Sequence, residues 1–254
     1  MKTVVTPNAG QMGVCSATGA AEVIREAIRQ RGRASIVVAT GASQFEVLAN
    51  LIKQPEIDWS RVHGFHLDEY VGIDSSHPAS FCGYLKQRFV DHVPLASFQY
   101  LPGDQDPQQV IQQAGDAISK VEIDVALIGI GENAHLAFND PPADFETEAP
   151  YLVVDLDHAC RMQQVGEGWF DGLESVPTQA ISMSIKQILK SKAIFCSVPD
   201  QRKADAVAKT LAGPIDPAVP STILTTHPNA YLVIDQAAAS RIDQASLAKA
   251  EHVS

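Results

Sequence analysis

A few short segments of this 254-residue chain join chemically capable side chains to glycines or to apolar, strand-like runs. In GFHLDEYVG (64–72) an apolar run ends in two adjacent carboxylates, Asp68 and Glu69. A carboxylate is costly to bury unless it is hydrogen-bonded, so one at a strand exit is a candidate base. The alternative is a turn or helix cap. His66 alternates with Asp68 along the run and reads as a packed histidine rather than a metal ligand. In DVALIGIGENAHLAFNDPP (124–142) a second run empties into Gly129 and Gly131, followed by Asn133, His135 and Asp140. Histidine titrates in the range suited to proton transfer. Asp140 lies five residues on, where a turn can bring its carboxylate to the ring and fix the tautomer; an ordinary satisfied histidine is the alternative. Asn133 can join that network or bind a sugar hydroxyl.

Two further segments have the makings of anion sites. SIVVAT (35–40) runs into Gly41, Ala42 and Ser43 ahead of a helical pattern. Such a turn presents backbone N–H groups and the positive end of a helix dipole. The alternative is a tight turn with Ser43 as an ordinary cap. The spacing matches neither a Walker A nor a G-x-G-x-x-G loop, which disfavours nucleotides. In CSVPDQRKADAV (196–207), Asp200 reads as an N-cap, with Arg202 and Lys203 in the first helical turn. Cations there oppose the dipole, an arrangement that an anion would reverse. Solvated surface charges are the plainer alternative.

The elements that must position these groups alternate along the chain. Strand-like runs are SIVVAT (35–40), VHGFHL (62–67), SFQYL (97–101), DVALIGI (124–130), YLVVDL (151–156), AISMSI (180–185), AIFCSV (193–198) and AYLVID (230–235). Several are continuously apolar, as in strands buried on both faces of a parallel sheet. Helices lie between them. Asp106 and Pro107 form a cap followed by proline at the first helical position. Ser43 and Glu46 fit a capping box, and Gly213 and Pro214 end the helix begun at Asp200. The alternation predicts an α/β protein with a doubly wound, mostly parallel sheet, built as one domain over 1–254. Ligands of such sheets sit beyond the carboxyl ends of the strands.

Composition narrows the classes. Hydrophobic residues make up 45% and charged residues 19%, which is globular rather than disordered. No run approaches the length of a membrane span, and the N-terminus lacks the apolar core of a signal peptide. The net charge of −11 argues against nucleic acid and anionic membranes as partners. The four cysteines are far apart with no C-x-x-C, so reduced thiols in a cytoplasmic protein are expected, with neither disulfide nor metal site.

Taken together, these residues resemble the glucosamine-6-phosphate deaminase (isomerase) family, within the sugar-phosphate group that includes 6-phosphogluconolactonase. The resemblance runs from TGAS (40–43) to HPNAYLVID (227–235). Its most specific parts are LDEYVG (67–72) and GIGENAHLAFNDP (129–141). The lactonase branch usually follows its histidine with a Thr-Ala-Ser-Leu-Phe-type run. Here Leu-Ala-Phe-Asn follows, as in deaminases.

The resemblance implies a modified Rossmann-like three-layer sandwich and an amino-sugar-phosphate isomerase that releases ammonia. It implies that Asp68 moves a proton between C2 and C1. His135 would open the pyranose ring, oriented by Asn133 and Asp140. Gly41, Ala42, Ser43 and Lys203 would hold the 6-phosphate. The partner is then a small sugar phosphate, no metal or redox cofactor is called for, and a homo-oligomer is compatible. A lactonase and a non-catalytic sugar-phosphate-binding protein are the competing readings. The chain also departs from the family pattern. Asp140 stands where Glu is usual, Ala134 where Gly is frequent, and Ala42, Ser43 and Gln44 where a Gly-Thr-Pro-like loop is common. The arginine that family members place about five residues after the position of Arg161 is missing from 163–169, leaving Arg161 or Arg202 to replace it.

Overall fold

The strand-like runs divide between two sheets. A computed structural model describes residues 1–253. The strands in chain order are β1 (Lys2–Thr6), β2 (Ala34–Val38), β3 (Val62–His66), β4 (Asp68–Tyr70), β5 (Ser97–Gln99), β6 (Val125–Ile128), β7 (Tyr151–Asp155), β8 (Gln179–Met183), β9 (Ala193–Val198), β10 (Ala230–Asp235) and β11 (Glu251–His252). The helices are α1 (Ala9–Arg31), α2 (Phe45–Leu51), α3 (Phe81–Arg88), α4 (Pro107–Ile118), α5 (His158–Gly166), α6 (Ile185–Leu189), α7 (Ala204–Ala212) and α8 (Gln244–Leu247).

The large sheet has the order β11-β1-β10-β9-β6-β2-β3-β5, and its pairings are parallel. β2, β6 and β9 are buried along their whole length, which is why their sequences are continuously apolar. Alternate side chains still serve opposite faces. Val37, Ala126 and Ile128 join a core with Val110 and Ala114 of α4 and Val207 of α7. Ile36, Val38 and Leu127 join another with Met12 and Ile24 of α1, Leu48 of α2 and Leu85 of α3. Helices thus cover both faces, giving the three layers.

YLVVDL and AISMSI do not belong to the parallel sheet. They form β7 and β8 of a small antiparallel sheet with β4. A short apolar run states that a strand is buried but not which sheet it pairs with. The small sheet packs on a third cluster, in which Tyr70, Phe81, Phe138 and Phe170 meet. Tyr70 lies edge-on to Phe170, and the Phe81 and Phe138 rings stack.

Helix signals fared unevenly. Asp106 accepts from the Gln109 amide ahead of α4, with Pro107 in the first turn, and Gly213 follows α7. The Ser43–Glu46 capping box is absent. Ser43 lies inside a 3-10 turn (Ala42–Gln44), so α2 starts only at Phe45 and has no side-chain cap. α1 carries an Asn8 cap and a left-handed Gly32 at its end. Among the described residues, no helix is long and apolar enough to cross a membrane.

Candidate active site

The cleft lies at the carboxyl ends of the parallel strands and has a volume of about 540 Å³. Residues 39–43 follow β2, Asp68 follows β3, Gly129 to His135 follow β6, 198–203 follow β9, and Asp235 closes β10.

Asp68 is aimed by a change of sheet. Leu67 donates its N–H to Val38 at the end of β2 and accepts from Met183 at the end of β8. The chain therefore leaves the parallel sheet at His66 and enters the antiparallel one at Asp68, opposite Ser182. Asp68 is buried, lines the cleft, and its Oδ1 has no hydrogen-bond partner. Burial, helped by the neighbouring charge of Glu69, pushes its carboxyl up to about 8. A carboxylate that no protein group stabilises is the one most able to take a proton.

Glu69 faces away from the cleft. Its Oε1 accepts from the Tyr70 and Phe81 amides at 2.9 and 3.1 Å, and its Oε2 from Ser80 Oγ and the Cys82 amide at 2.9 and 2.7 Å. Burial pushes its carboxyl up and these donors oppose it. Glu69 thus ties β4 to the start of α3. His66 is fully buried, with Nδ1 accepting from the Leu101 amide at 3.4 Å and Nε2 without a hydrogen-bond partner.

His135 sits in a tight loop. The Gly131 amide donates to the His135 carbonyl and the Ala134 amide to that of Gly131. Ala134 and Ala137 take φ of 71° and 53°, a region that L side chains rarely occupy. The imidazole lies directly over Gly131, where a Cβ would come within 2.3 Å of Nε2. This close approach, rather than nucleotide recognition, explains that glycine.

His135 Nδ1 is 3.0 Å from Asp140 Oδ1, which also accepts from Asn133 Nδ2 at 3.0 Å. Asn133 Oδ1 accepts from the His135 amide at 3.1 Å, and Asp140 Oδ2 from the Asp157 amide at 3.3 Å. Burial alone would raise Asp140, but its bonds to His135 and Asn133 hold it below the usual carboxylate range. An ionised Asp140 fixes the proton on Nδ1 and leaves Nε2 for a ligand. The expected grouping of Asn133, His135 and Asp140 is therefore present, with the shorter Asp arm in direct contact.

Asp140, His135 and Cys160 have ligand atoms within 4.8 Å of one another. A metal held there would have to break the Asp140 bonds to His135, Asn133 and Asp157. Cys82, Cys160 and Cys196 are buried free thiols, and Cys15 is half-buried.

At the far end, Gly41, Ala42 and Ser43 line the cleft. Gly41 has φ 83°, a conformation that favours glycine. A 3-10 turn has no internal partners for its leading N–H groups. Lys203 also lines the cleft and is almost fully buried. Burial pulls its ammonium below the usual lysine range, against the attraction of Glu167 and Glu132. Arg202 lines the rim but its guanidinium turns back to Asp200 at 3.1 Å. Arg161 does not reach the cleft, because its guanidinium is pinned to the Leu173 and Val176 carbonyls. Sequence reasoning missed Gln163, Glu167 and Asp235 as cleft residues. The 163–169 stretch lacks the family's arginine, and its Glu167 lies 3.7 Å from Lys203.

The family model for glucosamine-6-phosphate isomerases/6-phosphogluconolactonase matches residues 11–233. Glucosamine-6-phosphate deaminase from Thermoanaerobacter pseudethanolicus is 31% identical, with 99% of each chain covered. The enzyme of that name from an Exiguobacterium species is 34% identical over 90% of this chain and 89% of its own. Among solved structures, a monomeric glucosamine-6-phosphate deaminase superposes with a TM-score of 0.86 at 28% identity, covering 95% of this chain and all 100% of its own. A 6-phosphogluconolactonase from Shewanella baltica shares the fold, with a TM-score of 0.74 at 19% identity over 92% of this chain and 97% of its own. This chain belongs to the glucosamine-6-phosphate isomerase/6-phosphogluconolactonase family.

Proposed function

We infer that this protein is a glucosamine-6-phosphate deaminase, converting glucosamine 6-phosphate and water to fructose 6-phosphate and ammonia. The observation that carries the reading is the unpartnered, buried Asp68 carboxylate in the same cleft as a histidine whose Nε2 is left free. Isomerisation needs a base for a C–H proton and a separate group for proton transfer at oxygen. A lactonase needs only the activation of water by its histidine and has no use for a carbon base such as Asp68.

In this mechanism the pyranose binds with its ring oxygen at His135. The imidazole Nε2 takes the proton of the C1 hydroxyl and passes it to the ring oxygen as the bond between C1 and that oxygen opens, leaving the aldehyde, and Asp140 and Asn133 hold the ring in place. Asp68 then removes the proton from C2 and returns it to C1. The double bond moves from C1–O through C1–C2 to C2–N as O1 gains a proton and the amino nitrogen gives one up, and the resulting C2 imine adds water and expels ammonia. Ala42, Ser43, Gly41 and Lys203 bind the phosphate and keep C2 over Asp68. None of these steps requires a redox cofactor. The cytoplasm, where phosphorylated sugars are made and thiols stay reduced, is the matching compartment.

The test is to incubate the purified protein with glucosamine 6-phosphate, galactosamine 6-phosphate and 6-phosphogluconolactone, assaying ammonia, ketose and acid in parallel. The deaminase reading expects ammonia and fructose 6-phosphate in equal amounts from the first. Acid from the lactone without ammonia from either amino sugar overturns it.

A further inference from the structure

The phosphate end of the cleft carries less positive charge than its residue types suggest. Arg202 is spent on Asp200 through both Nε and Nη2, at 3.2 and 3.1 Å. Lys203 Nζ lies 3.7 Å from Glu167 Oε1, and both side chains are about nine-tenths buried, at 11% and 9% exposure. Cation and carboxylate thus cancel in two adjacent pairs.

Glu167 is not a stray surface acid. Gln163 Nε2 donates to its Oε1 at 2.7 Å and Trp169 Nε1 to its Oε2 at 3.3 Å. Gln163 is fixed in turn, since its Oε1 accepts from the Glu132 amide at 2.9 Å. The carboxylate is clamped at the end of α5, on the wall of the cleft. An anion bonded to Lys203 would lie within a few ångströms of it, in a partly dry site where like charges repel strongly. A neutral hydroxyl at the same place would feel no such repulsion.

We propose that Glu167 is a specificity-determining counter-charge, which weakens the hold of Lys203 on a phosphate dianion and so narrows the preference for phosphorylated over unphosphorylated sugar. This inference rests on the deaminase reading, since it takes the substrate to place its phosphate at Lys203. It has a definite sign. If Glu167 served only to orient Lys203, removing its charge would loosen the phosphate. As a counter-charge, its removal tightens the phosphate.

The probes are 2-amino-2-deoxyglucitol 6-phosphate, which has no ring to open, and its dephosphorylated form. Affinities are measured by calorimetry for the wild type, Glu167→Gln, Lys203→Met and the double variant. Glu167→Gln is expected to bind the phosphorylated probe about tenfold more tightly and the other probe unchanged. In the Lys203→Met background, Glu167→Gln recovers part of the lost affinity, because repulsion outlasts the lysine. Should the Gln protein fail to fold, Glu167→Ala must shift affinity in the same direction. Weaker or unchanged binding of the phosphorylated probe, in variants that still prefer it to the unphosphorylated one, overturns the counter-charge. If neither wild type nor Glu167→Gln prefers the phosphorylated probe, the sugar-phosphate reading falls instead. A preference that emerges only in the variant supports the proposal.

Discussion

Asp68 and Glu69 occupy consecutive positions on β4, and both are nearly out of reach of solvent. Their side chains point to opposite faces of the strand, as the pleat requires. On one face Glu69 meets four donors, two on each oxygen. On the other, Asp68 meets the cleft with an oxygen that has no partner. The same chemical group, displaced by one residue, is structural in one case and the proposed base in the other. What separates them is whether the fold supplies donors. Burial pushes both carboxyls up, but at Glu69 four donors oppose that push, whereas at Asp68 no hydrogen bond does.

The largest effect should come from removing the stranded carboxylate. Asp68→Asn is expected to lower C2 proton exchange by roughly 10⁴-fold, the upper range for a general base. Exchange of solvent deuterium into the substrate, followed by NMR, checks it; parent-like exchange would remove Asp68 from the role. The same variant has a stability signature. The folded Asp68 sits at about 8, above the unfolded value near 4, so its protonation stabilises the fold at low pH and that contribution is lost as pH rises toward 8. Asp68→Asn should therefore melt close to the parent at pH 4 and above it at pH 8–9. By the same shift, kcat/KM of the parent should climb with pH until about 8, as the base form is filled.

The histidine limb is the second way to sharpen the comparison. Asp140 holds His135 by a bond from Nδ1 at 3.0 Å, so its carboxylate is satisfied like that of Glu69, yet the neighbour it holds faces the cleft. His135→Gln should slow ring opening by about 10²-fold with little change in binding, since the ring acts in the transition state. An open-chain substrate analogue should rescue this variant more than Asp68→Asn. Equal rescue would dissolve the division between the two limbs.

Much of this was legible beforehand because it depends on local order. AIFCSV and AYLVID coincide with β9 and β10, being buried on both faces and bounded by turns. Asp140 reaches His135 because the intervening loop is short and folds on itself. What the sequence left open depends on distant pairing. Nothing in YLVVDL shows that it pairs with β8 in a separate sheet, and nothing in LDEY says which of two carboxylates faces the cleft. The Lys203–Glu167 pair joins α5 to the turn before α7, across 36 residues, and had no local signal. Ser43 shows the limit of local patterns too. Its spacing to Glu46 suits a capping box, but the 3-10 turn before α2 removes the geometry.

Glu69 supplies a prediction of opposite sign to Asp68. Glu69→Gln leaves one oxygen to accept and turns an NH₂ toward two existing donors, either Tyr70 and Phe81 or Ser80 and Cys82. The loss should be about 1–3 kcal/mol of stability, by the cost of leaving buried polar groups unpaired. Denaturant unfolding at neutral pH measures it. Activity per folded molecule should stay within a few-fold of the parent, because the side chain lies outside the cleft. Stabilisation by Glu69→Gln would mean that the four donors do not hold a carboxylate, and the contrast with Asp68 would collapse.

The smallest effect belongs to Arg202, and it extends the same contrast between supplied and free groups to the cations. Lys203 is buried and lines the cleft, while Arg202 is about half exposed and bonded to its own turn through Asp200. A buried ammonium facing a phosphate makes a charge-assisted contact worth on the order of 1.5–3 kcal/mol. Lys203→Met should then weaken a phosphorylated ligand by about one to two decades, at about 1.4 kcal/mol per decade. Arg202 must first leave Asp200, and what it gains at a phosphate it largely gives up there, in solvent that screens both pairs. Arg202→Met should therefore weaken the same ligand by no more than about twofold to threefold, as exposed ion pairs do. Calorimetry on the two variants at two salt concentrations decides the matter. A loss at Arg202 equal to that at Lys203, and falling with salt, would mean that the guanidinium swings from Asp200 to the substrate and that the turn at 200–203 binds with both of its cations.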